Sequence, residues 1–128
     1  MANESLDFNF DSLVKFGEVE KEVEPIKGLI IVLRTLNEEE KTKAYSSVEN
    51  FEEKANLLSR IESFKVPMLS YAIKSINGKP IADDEIRKQI SNVLKKSQSY
   101  VVDAIYNEYD KLVNEQLELL KSGLKKNN

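Results

Sequence analysis

The spacing of apolar residues changes character along the chain, and each change marks an element. From Glu18 to Glu24 the period is two, with Val19, Lys21 and Val23 on one side and four glutamates on the other. Pro25-Ile26-Lys27-Gly28 supplies turn residues, and Leu29-Ile30-Ile31-Val32-Leu33 follows, rich in β-branched side chains. This pattern predicts a β-hairpin over about 18–35. A lone hairpin cannot cover its own apolar face in water. Helices of this chain or a surface from a partner must therefore pack on it, and its apolar edge is also a template for strand addition.

The rest of the pattern is helical. Asn37 precedes Glu38-Glu39-Glu40, a good N-cap before acids that the macrodipole favours, and Asn37 with Glu40 has capping-box spacing. A short helix to about Ser46 is expected, with a weak apolar face of Ala44, Tyr45 and Val48. From Asn50 to Ile76, the positions Phe51, Ala55, Leu58, Ile61, Phe64, Met68, Ala72 and Ile76 step by three or four. They predict one helix of roughly seven turns, kinked or broken near Lys65 because Pro67 lacks a donor and clashes with the preceding turn. Asn77-Gly78-Lys79-Pro80 reads as a tight turn. Asp83 and Asp84 cap a third helix with a buried stripe of Ile86, Ile90, Val93 and Leu94, ending near Lys95-Lys96. The last helix opens around Ser97 to Ser99 and runs to about Ser122 or Gly123. Its apolar face is Val102, Ile105, Tyr106, Tyr109, Leu112, Val113, Leu117 and Leu120, flanked by Leu119 and Leu124.

At 128 residues and 14.6 kDa the chain is the size of one domain. The fold class expected is mainly α: a small helical domain over 18–122 with an N-terminal β-hairpin, preceded by an acidic arm over 1–17 and followed by a basic tail over 123–128. The arm and strand region to residue 24 holds Glu4, Asp7, Asp11, Glu18, Glu20, Glu22 and Glu24 against Lys15 and Lys21, whereas the tail end holds Lys121, Lys125 and Lys126. Such charged ends are ordinarily solvated.

Composition then narrows the function. A net charge of −3 and a pI near 5.2 argue against a surface for nucleic acid or anionic lipid. The start of the chain lacks the basic and apolar runs of a signal peptide, and Leu29 to Leu33 is far too short to cross a bilayer. With no cysteine as well, the sequence reads as cytosolic. Histidine and cysteine are both absent, which removes the commonest general base, metal ligand and covalent nucleophile. Asp83-Asp84-Glu85 and Asp103 with Asp110 are the nearest carboxylate sets, but they fall at a helix start or on an exposed helix. Four glycines form no phosphate loop, and no acidic run has the alternating ligands of a calcium loop. No catalytic, cofactor-binding or metal-binding residue is expected, and a carboxylate enzyme is the weakest of the readings considered.

Binding to other proteins remains. Candidate contact residues are Phe8, Phe10 and Phe16 in the aromatic arm; Val19, Val23, Ile30 and Val32 on the hairpin; and Tyr106, Tyr109, Leu119 and Leu124 on the edge of the last helix. Val102, Ile105, Tyr109, Leu112, Gln116 and Leu119 keep a three-four spacing that offers a seam for self-association, interrupted by polar Gln116.

The order of residues carries a resemblance. Phe10-Asp11-Ser12-Leu13-Val14-Lys15-Phe16-Gly17 leads through a hairpin to Val32-Leu33-Arg34-Thr35-Leu36-Asn37-Glu38-Glu39-Glu40. Then come Leu69-Ser70-Tyr71-Ala72-Ile73-Lys74-Ser75-Ile76-Asn77-Gly78-Lys79-Pro80 and Val101-Val102-Asp103-Ala104-Ile105-Tyr106-Asn107-Glu108-Tyr109-Asp110-Lys111-Leu112. Over roughly residues 10–120 this resembles small tail-assembly proteins of tailed bacteriophages, a group that includes tail-assembly chaperones and baseplate-hub assembly proteins. The resemblance implies a non-enzymatic role in building a tail or baseplate, as a transient chaperone or a small virion subunit, with other tail or baseplate proteins as partners. It transfers no catalytic residue. The alternative is a generic helical adaptor or regulator whose last helix lies in a partner's groove.

Overall fold

A computed structural model of the chain describes residues 16–46 and 57–126. The element order is β1 (Glu20–Ile26), β2 (Leu29–Arg34), α1 (Glu38–Ser46), α2 (Leu57–Ala72), β3 (Ile73–Ile76), β4 (Lys79–Pro80), α3 (Asp84–Lys96) and α4 (Ser99–Lys126). The protein is mainly helical with a small sheet. The expected hairpin is present, but as half of a four-stranded antiparallel sheet in the order β1-β2-β3-β4. The expected aromatic arm residues Phe8 and Phe10 lie outside the described residues, as do Val48, Phe51 and Ala55 of the expected helical stripes.

Strand β2 is central because both its edges are paired. On one side Glu22 faces Val32 and Val23 faces Ile31; on the other Ile31 faces Ile76 and Leu33 faces Ile73. Between Val32 and Leu33 the register to β3 shifts, which makes Lys74 the extra residue of a β-bulge. The bulge returns Ile73 to the core face beside Leu33 and turns Lys74 outward, where its ammonium lies 2.8 Å from Glu20 Oε1. Asn77 closes the same edge: its amide donates to Ile30 O at 2.7 Å, and its side-chain oxygen accepts from Ile30 N–H at 2.8 Å. The β3–β4 turn carries positive φ at both Asn77 (47°) and Gly78 (82°), the conformation that Asn-Gly adopts most cheaply in a two-residue hairpin. The β2 edge, expected as a template for strand addition, is therefore occupied by the chain's own β3.

Of the kink or break expected near Lys65, the break does not occur: helix α2 runs on through Pro67. Met68, Leu69 and Ala72, just past the proline, are all buried, and α2 touches α1, α3, α4 and β3. Tertiary burial on this scale outweighs a proline penalty of about 3 kcal/mol. The helix ends at Ala72, however, and Ile73 and Ile76, expected as its last turn, are strand residues.

Helix caps follow the expected chemistry. Asn37 Oδ1 accepts from the Glu40 amide at 2.8 Å while Glu40 Oε1 accepts from the Asn37 amide at 3.0 Å, a complete capping box. Asp83 caps α3 by accepting from Ile86 N–H at 2.9 Å. On α3 the inward side chains are Ile86, Ile90 and Leu94, while Val93, expected with them, is exposed. Helix α4 extends through Lys126, so the basic tail expected from residue 123 is helical to that point.

One core joins sheet and helices: Val23, Ile31 and Leu33 from the sheet, Leu69 and Ala72 from α2, Leu94 from α3, and Val102, Ile105, Tyr109 and Leu112 from α4. Helix α4 lies on the face of β1 and β2 that carries these residues, where Lys21 pairs with Glu115 at 3.0 Å. Among the described residues, no helix is long and apolar enough to cross a membrane.

Candidate protein-binding surfaces

Val23 and Tyr109, expected at a partner surface, belong to the core instead, at 9% and 3% exposure. Val19 packs partly against the same core. The reason is strand alternation: Val19 and Val23 share the face of Ile31 and Leu33, which α4 covers. Ile30 and Val32 point to the opposite face, Ile30 exposed and Val32 half-buried. Around them the outer face is charged, with Glu20 paired to Lys74 and Arg34 reaching Glu18 at 3.7 Å.

The self-association seam expected on α4 is not available. Val102, Ile105, Tyr109 and Leu112 are used internally. Gln116, the polar interruption, has a structural task that the helical pattern gives no sign of. Its side-chain NH₂ donates to Gly17 O at 2.8 Å and to Thr35 Oγ1 at 3.1 Å. Thr35 is buried, and its hydroxyl also accepts from Val19 N–H at 3.0 Å while its amide donates to Val19 O at 3.0 Å. Gln116 thus clasps the start of β1 and the end of β2 onto α4. Every buried side-chain nitrogen and oxygen among the described residues has such a partner.

Beyond Gln116 the helix outruns its support. At 1.5 Å per residue the 28 residues of α4 span about 42 Å, whereas the seven residues of β1 span about 23 Å. Leu117, Leu119 and Leu120 are consequently 48%, 63% and 46% exposed, and Phe16, at the start of the described chain, is 77% exposed. Gly17, with φ of +82°, brings the chain past this end; a Cβ built there would stand 4.0 Å from Leu120 Cδ2. Leu124 continues the stripe by spacing, but its side chain lies outside the described residues.

A second apolar feature adjoins this one. Tyr45, Met68, Tyr106 and Val113 border a recess of ≈ 210 Å³ between α1, α2 and α4. Val113, Leu117 and Leu120 follow at steps of four and three, so the recess shares one face of α4 with Leu117 and Leu120, while Leu119 lies on another beside Glu115 and Glu118. Tyr45 meets Phe64 edge to face at 4.9 Å, and Tyr106 lies 5.8 Å from Tyr109 with Lys65 5.5 Å above its ring. Burial, reinforced by Asp110, raises the Tyr106 phenol pKa. Burial, with Tyr106 next in effect, pushes that of Tyr109 up to about 12. Both phenols stay neutral across the physiological range, so neither supplies a base.

The best-organised ionic group is Arg34 with Glu40. Arg34 Nη1 donates to Glu40 Oε1 at 2.8 Å and Nη2 to Oε2, a bidentate pair. Burial raises the Glu40 pKa, but the hydrogen bonds from Arg34 and the Asn37 amide outweigh it and leave the carboxyl below its ordinary value. The Glu40 hydrogen bond is also the main reason the Arg34 pKa is raised. The pair joins the end of β2 to the start of α1 and is structural. Among the described residues no group of three or more acids is gathered as a metal ion would need.

Compared with protein-family models, curated proteins and solved structures, the chain matches none.

Proposed function

We propose that this protein is a non-enzymatic binding factor in the assembly of a bacteriophage tail or baseplate, and that its contact surface is the free end of α4. One observation carries the binding reading: Leu117 and Leu120 on one side of α4, and Leu119 on another, project from helical turns that the other described elements leave exposed. Exposed apolar side chains that adjoin, as Leu117 and Leu120 do at i and i+3, mark interaction sites, whereas single ones do not. The assembly setting rests on the resemblance of residue order to tail-assembly proteins. In this role the protein acts in the host cytoplasm and, if it is a permanent subunit, in the virion.

The test is affinity purification of the full chain from infected cells. Tail or baseplate proteins are expected with it, and a Leu117→Ser/Leu119→Ser/Leu120→Ser variant should lose them while remaining folded. A folded, abundant bait that recovers no tail or baseplate protein overturns the assembly role. Intact particles then separate the two versions, since a chaperone is absent from them and a subunit present. A generic adaptor is favoured by the same free end, because a projecting amphipathic helix suits a partner's groove. A gene lying apart from tail genes supports that alternative.

A further inference from the structure

A cleft of ≈ 530 Å³ opens between α2, α3 and α4, away from the free end of α4. Its cations are Lys43, Lys65, Arg87 and Lys95, and its acid is Asp103. The adjoining cleft shares Lys43 and Arg87 but is balanced, since Arg34 and Lys74 are met there by Glu39, Glu40, Asp83 and Asp84. On a chain of net charge −3, this cleft thus carries a positive excess that its neighbour lacks.

The existing pairs leave this charge usable. Lys43 pairs with Glu39 at 3.1 Å and Arg87 with Asp84 at 3.3 Å, and both acids are largely exposed. Pairs of this kind are weakly held and exchange readily for another carboxylate. Arg87 is also stacked 4.2 Å from the Tyr71 ring centre, which holds its guanidinium on the wall. Lys65 pairs with Asp103 at 2.9 Å. Lys95 makes no ion pair among the described residues. Between the charges lie the serine hydroxyls of Ser91 and Ser99, with Ser97 Oγ donating to Val93 O at 2.7 Å and left to accept, and an apolar floor of Val66, Pro67 and Leu94.

The layout selects the ligand class. Arg87 and Lys95 are eight residues apart on α3, about 12 Å, which is the length of about four extended residues and more than one small anion spans. Spaced cations, hydroxyls for main-chain bonding and an apolar floor match an extended segment that alternates carboxylates with smaller or apolar side chains. We propose that this cleft binds an acidic, extended segment of a partner protein. The kind of partner rests on the binding function above; the site stands on its own residues.

The test titrates the isotope-labelled full chain with a synthetic heptapeptide that alternates glutamate with serine around a central phenylalanine. Saturable shifts are expected at the amides of Lys65, Val66, Met68–Tyr71, Ser91–Ser97 and Ser99–Asp103. A glutamine-for-glutamate peptide should give none, and Lys95→Glu, at an exposed position, should weaken binding about tenfold. The proposal is overturned by absent shifts, by shifts centred on Lys111–Ser122, or by undiminished binding to K95E. It is equally overturned if inorganic phosphate saturates the same amides at the same concentration, since the cleft is then a small-anion site. If the peptide fails while tail proteins are still captured through α4, the cleft proposal alone falls.

Discussion

The first turns of α4 and its last turns are built from similar side chains in opposite surroundings. Val102, Ile105, Tyr109 and Leu112 are closed in by the sheet and α2, whereas Leu117, Leu119 and Leu120 have little around them. The boundary is Gln116, whose hydrogen bonds to Gly17 and Thr35 mark the last level at which sheet and helix meet. Helical periodicity alone cannot distinguish the two stretches, because it records which side chains share a face and not whether anything faces them.

The largest contrast is expected in stability. Leu112, 1% exposed, should cost about 3 kcal/mol on truncation to alanine. Leu119→Ala should stay within about 0.5 kcal/mol of the parent. Urea unfolding of both variants measures the difference, and equal losses would mean that the end of α4 is packed like its beginning.

Next in size is the ion pair that ties β2 to α1. Glu40→Gln should destabilise by about 2 kcal/mol at neutral pH, since it replaces the bidentate, partly buried ion pair with Arg34 by a neutral contact, while the amide oxygen can still accept from Asn37 N–H. The Glu40 pKa is lowered in the folded state, so its contribution is complete above the ordinary carboxylate value and is lost as pH falls through the folded pKa. The parent should therefore lose stability on acidification over that window more steeply than the variant. Tyr109 has the opposite sign. Its folded pKa is raised to about 12, so the stability carried by the neutral phenol is present below the ordinary tyrosine value and lost as pH rises towards 12. Spectrophotometric titration of the parent against Tyr109→Phe should show that phenol ionising last or only with unfolding.

A smaller effect is expected at the boundary itself. Gln116→Ala should cost about 1 kcal/mol and speed amide exchange at Val19, whose N–H donates to the Thr35 hydroxyl that Gln116 also binds. Unchanged exchange at Val19 would show that the clasp does not hold the start of β1.

Much of the fold is legible in local chemistry. The Asn37 capping box, the Asp83 cap and the Val19–Val23 alternation all predict the elements found there. The second hairpin is hidden by its own bulge. With Lys74 inserted, Ile73 and Ile76 reach the core face three residues apart, a helical step, and they extend the true helical series ending at Ala72. Asn77-Gly78 was the available signal, because that dipeptide favours the positive φ values of a two-residue hairpin. Of the candidate contact residues, Leu119 and Phe16 are at the surface and Val23 and Tyr109 are not. Their apolar character is the same, and the difference arises from where α4 crosses the sheet, which depends on pairings between distant parts of the chain. The role of Gln116 is equally non-local, since Gly17 lies 99 residues away.

Amide hydrogen exchange along α4, compared between the free chain and the complex captured from infected cells, shows whether the end of this helix is where a partner sits. Protection is expected to rise over Leu117–Ser122 on binding and to change little over Val102–Leu112, which the fold already covers. A complex in which Leu117–Ser122 exchanges as fast as in the free chain would contradict that expectation.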